Sequence, residues 1–408
     1  MCRNRTRTTL CDSRQPPTGY VLLAAYSLLP LEVTRLRIAL DGMALRREGR
    51  GVARVLQQLL PLLAADPRLD CVILSTREGR EMLGPGGSLH LDEVRHMHQS
   101  VWEQFGLPWH ARRVKADAIY SHAECAPLWG PPLLLHVPED PFVRWHYTRA
   151  DSLHEVARRT YQRTAVPRGL RHACVMATSS SACKTALTER FDFKPVLDRQ
   201  FAVIPLGVNT EFFHPDSEGI RDHGIFHLSS AEARDLSTLV VRAYSRALSL
   251  APDLPDLYIA GDLGSQRKAV IGVARASKVD HRIHLLGRIS DDQLRERYAG
   301  AALCVQPSLY EGFGLQPLEA LACGAPLIVF PEPSVEEVVG DAAVIANDRD
   351  ETSLANCIAR LWADTELRSA LQEDGPRRAA VFSWTRTATL VADILVEMVG
   401  HRRVNGAR

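Results

Sequence analysis

Short apolar runs that alternate with longer helical patterns are the feature that most constrains how this chain can fold. Their apolar residues are consecutive, which is typical of strands buried on both faces of a sheet. In the amino half the runs are LRIAL (36–40), CVIL (71–74), AIYS (118–121), LLLH (133–136), CVMA (174–177) and FAVI (201–204). In the carboxyl half they are GIFHL (224–228), DLYIA (256–260), RIHLL (282–286), ALCV (302–305) and PLIVF (326–330). This pattern predicts an α/β chain built on parallel sheets.

The alternation is interrupted by LGVNTEFFHPDSEGIRDHG (206–224), whose Gly, Pro, Asn and charged residues are typical of an interdomain linker. At 408 residues the chain is also too long for one ordinary core. We therefore predict two doubly wound, Rossmann-like domains that face each other across a cleft. The predicted segments are a poorly ordered extension at 1–34, a first domain at 35–206, a linker at 207–223, a second domain at 224–384, and a C-terminal helix and tail at 385–408 that can cross back to the first domain.

Composition and charge exclude several classes of function. Hydrophobic residues make up 46% and charged residues 24% of the chain, as in soluble globular proteins, and the net charge of +1 predicts no nucleic-acid partner. The nine cysteines are scattered and none is spaced as C-x-x-C, which disfavours a disulfide framework or a zinc site. These features predict a protein of the reducing cytoplasm.

The amino terminus superficially resembles a signal peptide, because Arg3, Arg5 and Arg7 precede the apolar run YVLLAAYSLLPL (20–31). The run contains Pro30, is too short to span a bilayer, and is not followed by a cleavage site with small residues. We therefore expect no signal peptide and at most a peripheral membrane contact.

The stretch LYEGFGLQPLEALACG (309–324) places two glutamates around a tight turn. The apolar run before it predicts a strand, and Pro317 and Gly324 predict the first turn and the end of a helix. Glu311 would then lie in a strand-to-helix loop and Glu319 in the first helical turn. Both would face the crevice at the carboxyl end of a parallel sheet, where such sheets bind ligands. The turn itself consists of Gly312, Phe313 and Gly314.

The stretch VQPSLYEGFGLQPLEALACGAPLIVF resembles the Glu-x7-Glu signature of retaining glycosyltransferases of family four, also described as glycosyl transferases group 1, which have the GT-B fold. Weaker matches follow at family-like intervals over roughly residues 35–400. They are IALDGMALRREGRGVARV, LLLHVPEDP, VIPLGVNTEFFHP, HLLGRISDDQLRERYAGAALCV and FSWTRTATLVADIL.

The resemblance implies a retaining, hexosyl- or mannosyl-type transferase that moves a sugar from a UDP- or GDP-sugar to a hydroxyl acceptor. The first domain would bind the acceptor and the second the nucleotide-sugar. The acceptor would be a glycan, a lipid-linked glycan or a small molecule, as in polysaccharide or natural-product biosynthesis. The family needs no cofactor and no metal, and the residues alone do not choose the nucleotide.

The donor would bind at the start of the predicted helix. The amides of Leu315 and Gln316 would meet the diphosphate at the positive end of the helix dipole. Gly312 and Gly314, on either side of Phe313, would let the backbone approach the sugar, because neither has a Cβ atom. The resemblance assigns Glu319 to the ribose and Glu311 to the donor sugar.

One departure from the family concerns the cations that meet the leaving diphosphate. Arg234 lies where the usual Arg–Lys pair begins, but Asp235 lies where the lysine is usual. Lys268 is a possible replacement, and Arg288 and Ile289 are candidates for the nucleotide base. The departure supports an alternative function, a catalytically weakened protein that binds sugar nucleotides. A second alternative is another enzyme on the same architecture, such as a phosphorylase or an epimerase.

Two candidates lie in the first domain. His136 ends an apolar strand, and by analogy with the family it would contact the sugar or the acceptor. The alternative is a core histidine whose ring nitrogens are already hydrogen-bonded. Gly51 follows the first strand and is predicted to admit the donor phosphate or the acceptor backbone. Arg54 replaces the third glycine of a dinucleotide fingerprint, which disfavours a nicotinamide or flavin site.

Overall fold

The computed structural model describes residues 35–46, 51–84, 89–143, 153–191, 201–216, 221–230 and 233–406. The predicted extension at 1–34 lies outside these residues.

The first unit is built on a parallel sheet of seven strands in the order β3-β2-β1-β4-β5-β6-β7. The strands are β1 (Leu36–Asp41), β2 (Leu69–Ser75), β3 (His90–Glu93), β4 (Ala118–His122), β5 (Leu133–Val137), β6 (Val175–Thr178) and β7 (Phe201–Val203). Its helices are α1 (Val52–Ala64), α2 (Arg77–Met82), α3 (Gln99–Val101), a π-helix (Trp102–Gly106), α4 (Leu107–Arg113), α5 (Leu153–His172) and α6 (Ser181–Phe191). The order reverses between β1 and β4, as in doubly wound sheets.

The second unit is built on a parallel sheet of six strands in the order β10-β9-β8-β11-β12-β13. The strands are β8 (Ile225–Leu228), β9 (Leu257–Ala260), β10 (Ile283–Gly287), β11 (Leu303–Gln306), β12 (Leu327–Val329) and β13 (Val344–Ile345). Its helices are α7 (Ser237–Leu250), α8 (Arg267–Ala276), α9 (Asp291–Gly300), α10 (Leu315–Ala322), α11 (Pro333–Val339), α12 (Glu351–Ala363) and α13 (Thr365–Ala379). Here the order reverses between β8 and β11.

The predicted α/β class with two parallel sheets is confirmed. Each predicted run forms a strand within a few residues of its expected bounds, because side chains such as those of β5 are buried along their whole length. Two strands were not predicted, β3 and β13. Both are short, lie at the edges of their sheets and are partly exposed, so neither has the continuous apolar sequence of a central strand.

The chain divides into two compact units at Val208 and again at Ser383. The second unit contains Val208–Phe382, and the described part of the predicted linker belongs to it from Val208 onward. There the N–H of Val208 donates to the carbonyl of Phe382 at 3.1 Å, and Phe213 is buried. The last helix, α14 (Trp384–Gly406), belongs to the first unit and packs on α1.

Among the described helices, the stretch Thr365–His401 is long and apolar enough to cross a membrane by length and composition. It consists of two separate helices, α13 and most of α14. One such stretch is weak evidence for a membrane span, because core helices of soluble proteins have the same composition.

Candidate functional site

The reversal between β8 and β11 organises the candidate site in the second unit. Strands β8 and β11 are parallel neighbours, so the connections that follow them both begin at the carboxyl ends of the strands. The two connections then run in opposite directions across the sheet, because the strand order reverses here. This arrangement opens a crevice at the carboxyl ends of the strands, where doubly wound sheets bind ligands. Arg234 lies in the first connection and Glu311 in the second.

The two connections are in direct contact. The N–H of Leu309 donates to the carbonyl of Arg234 at 3.2 Å, and Nη1 of Arg234 lies 3.4 Å from the carbonyl oxygen of Tyr310. The structure therefore brings Arg234 next to the loop that carries Glu311, as their assignment to one site requires.

Asp235, the residue that departs from the family, is 7% exposed and turns toward its own connection. One of its carboxylate oxygens accepts from both the N–H and the hydroxyl of Ser230, each at 2.5 Å. These donors compensate the negative charge locally. A carboxylate without such partners would repel a diphosphate at the start of α7. The carboxylate of Asp235 is instead hydrogen-bonded to Ser230.

The turn between the two glutamates is buried and has a left-handed backbone at its last residue. Gly314 has φ +102° and caps the start of α10, and a Cβ atom there would lie 3.3 Å from Cγ2 of Val335. The ring of Phe313 packs edge-on against Phe382, with centroids 5.7 Å apart. Gly312 is buried in the same turn. This packing sets the direction in which the first amides of α10 point.

Helix α10 begins at Leu315, and Pro317 is its third residue, in the first turn as predicted. The first helical hydrogen bond runs from the N–H of Leu318 to the carbonyl of Gly314 at 3.1 Å. The amides of Leu315 and Gln316 precede this bond and are the groups that a helix start offers to an anion. Both residues are half-buried.

Glu319 is the fifth residue of α10, so it lies in the second turn and not in the first turn as predicted. Its side chain is 3% exposed. Burial, and then the nearby Glu319 carboxylate, raise the pKa of the Cys323 thiol above its ordinary value. Glu319 is thus on the inner face of the helix, whereas Glu311 is half-buried in the loop.

The other predicted donor residues lie after strands farther along the sheet. Arg288 is exposed after β10 and forms an ion pair with Asp262 at 3.0 Å, and Ile289 beside it is half-buried. Lys268 is exposed at the second residue of α8, which follows β9. Of the three cationic candidates, Arg234 is the one whose contact with the Glu311 loop the described residues show.

In the first unit His136 has no exposed surface. Its Nδ1 lies 3.1 Å from the hydroxyl of Tyr120 and its Nε2 lies 3.0 Å from the hydroxyl of Ser179. Burial, and then the ring of His122, hold the pKa of His136 well below its ordinary value, so the ring is neutral. These contacts are the ones expected of a core histidine whose two ring nitrogens are already hydrogen-bonded. The substrate contact of His136 stays a prediction, and it would require one of these hydrogen bonds to be exchanged.

Gly51 is exposed at the start of α1 and has φ +49° and ψ −105°. A Cβ atom there would meet no atom within 4 Å, so its glycine is explained by the backbone angles. Its contact with a donor phosphate stays a prediction.

Sequence reasoning missed Glu332, which is 4% exposed and caps α11. Its carboxylate accepts from the N–H of Val335 at 2.9 Å and also from the N–H of Glu311. The signal available was weak, because Glu is not among the preferred helix caps.

Residues 238–378 match the family described as glycosyl transferases group 1. These residues form a glycosyl transferases group 1 domain. The group 1 domain runs from the second residue of α7 into α13, so it includes Glu311 and Glu319, and Arg234 lies just before it. Among the described residues no three His, Cys, Asp or Glu side chains are grouped as metal ligands would be.

Curated proteins similar to this chain include two bacterial mannosyltransferases. It is 38% identical over 107 residues to O-antigen chain mannosyltransferase B of Escherichia coli, which covers 26% of this chain and 28% of that protein. It is 29% identical over 234 residues to MMP alpha-(1->4)-mannosyltransferase of Mycolicibacterium hassiacum, which covers 52% of this chain and 51% of that protein. The chain thus spans about half the length of these relatives or less.

Solved structures resemble the fold of this chain over about nine tenths of its length. Sucrose-phosphate synthase from Thermosynechococcus elongatus superposes with a TM-score of 0.69 at 18% identity, over 92% of this chain and 100% of that chain. HepE from Anabaena, in complex with UDP, superposes with a TM-score of 0.69 at 17% identity, over 89% of this chain and 100% of that chain. The predicted GT-B fold class is therefore confirmed.

Proposed function

We propose that this protein is a retaining glycosyltransferase of hexosyl or mannosyl type, which uses a UDP- or GDP-sugar and a hydroxyl acceptor. The observation that carries the proposal is the start of α10 at the reversal point of the second sheet, with the Glu311 loop on one side and Arg234 in contact with that loop. The relatives named as mannosyltransferases and the HepE complex with UDP support the same class of donor.

The donor diphosphate binds at the amides of Leu315 and Gln316, with Arg234 as the counter-charge. The Glu319 carboxylate accepts hydrogen bonds from the ribose diol, and Glu311 with its glycine turn contacts the sugar. Asp235 does not prevent this arrangement, because its carboxylate is already hydrogen-bonded to Ser230.

In the proposed reaction the bond from the anomeric carbon to the diphosphate oxygen breaks while the bond to the acceptor oxygen forms on the same face. The acceptor proton passes to the departing diphosphate, so the chain supplies no nucleophile and needs no metal or cofactor. The acceptor is a glycan, a lipid-linked glycan or a small molecule. No disulfide joins the cysteines in the described part of the chain, which supports the cytoplasm as the place of this reaction.

The purified protein tests the proposal directly. We expect release of UDP or GDP from a nucleotide-sugar in the presence of an acceptor, a product whose anomeric configuration by NMR equals that of the donor, and loss of turnover in Glu311→Gln. The exposed Glu336→Gln serves as the matched control. Donor binding without any turnover would favour the weakened binding protein instead, and a product of inverted configuration would refute the retaining mechanism.

A further inference from the structure

Glu332 lies at the end of the connection between β12 and α11, and its carboxylate meets three backbone N–H groups. That of Val335 donates to Oε2 at 2.9 Å, and that of Ser334 belongs to the same helix start. The third N–H is that of Glu311, in the loop between β11 and α10. Two of these bonds are an ordinary helix cap, and the third joins the cap to the proposed donor loop.

Arg349, which follows β13, joins the same two loops from the exposed side. Its guanidinium donates to the carbonyl of Leu309 at 2.9 Å and to that of Pro331 at 3.0 Å. Its positive charge also acts on the Glu332 carboxylate. The loop that carries Glu311 is therefore held on both sides of Tyr310, at Leu309 by Arg349 and at Glu311 by Glu332.

The start of α11 also leaves little space for the turn. A Cβ atom on Gly314 would lie 3.3 Å from Cγ2 of Val335, which is closer than most such contacts. Val335 is one of the residues whose N–H binds Glu332. A shift of the Glu332 cap would thus move Val335 against Gly314 and displace the first amides of α10.

Capping α11 does not by itself explain a glutamate here. Asp and Ser cap helices better, and α11 has only seven residues. A buried carboxylate is also costly to ionise. Burial raises the pKa of Glu332 to about 7, although the N–H groups and Arg349 act in the opposite direction. The longer side chain does one thing that a short cap does not, which is to reach the N–H of Glu311.

We propose that Glu332 is a positioning residue of the transfer reaction, whose carboxylate holds the backbone at Glu311 so that the Glu311 side chain stays directed at the donor sugar. This inference rests on the proposed function. It assigns the role to the ionised carboxylate, because only that form accepts all three N–H groups without an O–H in their place.

The charge state of Glu332 then shapes the pH dependence of the reaction. The charged groups near it are Arg349, from the connection after β13, and Glu311, from the loop after β11, with Arg234 in contact with that loop at Tyr310. Because protonation removes an acceptor from the Glu311 N–H, the wild-type kcat should fall as the pH is lowered through about 7. Glu332→Gln has no titratable carboxyl at this position, so its kcat should not show this fall at low pH, the acid limb of the profile.

The test compares Glu332→Gln and Glu332→Asp with Glu336→Gln, a control one helical turn away on the exposed face. Aspartate should keep the cap of α11 and the melting temperature but not reach the N–H of Glu311. We expect kcat to fall about tenfold or more in both Glu332 variants, the Kd for the nucleoside diphosphate to stay within about threefold, and the acid limb to disappear in Glu332→Gln. Full kcat in Glu332→Asp would show a capping role alone and overturn the inference.

Hydrogen exchange of peptides from the Glu311 loop provides a readout that does not depend on turnover. Exchange there should be faster in both Glu332 variants than in the wild type and unchanged in Glu336→Gln. Unchanged exchange in Glu332→Asp would overturn the positioning role, whatever the activity. A wild-type protein that shows the expected exchange but no turnover would instead refute the proposed transferase function.

Discussion

Gly314 and Leu236 both have left-handed backbones beside the candidate donor site, with φ of +102° and +55°. Gly314 precedes α10 and Leu236 precedes α7, the two helices that leave the reversal point of the sheet. For a residue with a Cβ atom such angles cost about 1–2 kcal/mol. Backbone strain of this size is typical of active sites and ligand-binding sites.

Replacing Gly314 should therefore affect stability and donor binding together. We expect Gly314→Ala to lower the free energy of unfolding by about 1–2 kcal/mol, because alanine disfavours this backbone and its Cβ atom crowds Val335. Donor affinity should fall as well, since the amides of α10 change direction. Chemical denaturation and calorimetric titration measure the two effects.

The matched control for that change is Gly272→Ala, in the middle of α8. Gly272 is exposed and a Cβ atom there would meet nothing within 4 Å. Alanine should raise the free energy of unfolding by roughly 0.5–1 kcal/mol, as it does inside helices. Equal effects of the two substitutions would show that the Gly314 backbone is not strained.

Glu319 provides a second prediction at the scale of single residues. Glu319→Ala should raise the Kd for the nucleotide-sugar tenfold or more, because hydrogen bonds to an ionised carboxylate contribute about 1.5–3 kcal/mol each and tenfold corresponds to about 1.4 kcal/mol. Titration of the purified variant, with Glu336→Ala as control, measures the change. An unchanged donor affinity would remove Glu319 from the ribose site.

At the scale of elements, the π-helix Trp102–Gly106 turns Glu103 into the interior of the first unit. The Glu103 carboxylate accepts from the hydroxyl of Tyr161 and from the amide of Gln99, each at 2.8 Å. Burial nevertheless raises the pKa of Glu103 to about 8. The helix therefore carries a carboxyl group that folding prefers to keep protonated.

The stability of the first unit should depend on pH through Glu103. Because the folded pKa is raised, the contribution of Glu103 to stability is complete below about 4.5 and is lost as the pH rises through about 8. Glu103→Gln cannot ionise. Its free energy of unfolding relative to that of the wild type should therefore increase by up to a few kcal/mol between pH 5 and pH 9. Denaturation at several pH values measures this, and a constant difference would contradict the assignment.

At the scale of the whole molecule, each unit has its own sheet, its own reversal point and its own core, and a nucleotide donor should bind the second unit. Arg234, Glu311 and Glu319 all lie within Val208–Phe382. A ligand that binds only the folded state stabilises the part of the molecule that holds it.

We therefore expect UDP or GDP to raise the melting temperature, with about 2.7 kcal/mol of stabilisation at a hundredfold excess over Kd. Hydrogen exchange should slow in α10 and in the loop before it, and less in the strands of the first unit. EDTA should leave the shift unchanged, because in the proposed site helix amides and Arg234 would meet the diphosphate without a metal. Protection confined to the first unit would contradict this placement.

Much of the fold follows from local patterns in the sequence. Central strands such as Leu133–Val137 and Leu327–Val329 are short, apolar throughout and followed by helical patterns, so their type and parallel arrangement could be predicted. The edge strands His90–Glu93 and Val344–Ile345 could not, because a strand with one neighbour is partly exposed and does not need a continuous apolar sequence. The start of α10 was predictable from its glycines and proline.

The sequence by itself determined the fold class and the loop that carries Glu311, because periodicity and turn residues act between neighbours in the chain. Only the tertiary structure decided that Asp235 binds Ser230, that both nitrogens of His136 are occupied, and that Glu332 reaches the backbone of Glu311. The role of a polar group depends on which partner lies opposite it in space. For His136 and Glu332 that partner comes from another connection or strand. Because the partner is distant along the chain, the local sequence does not indicate it.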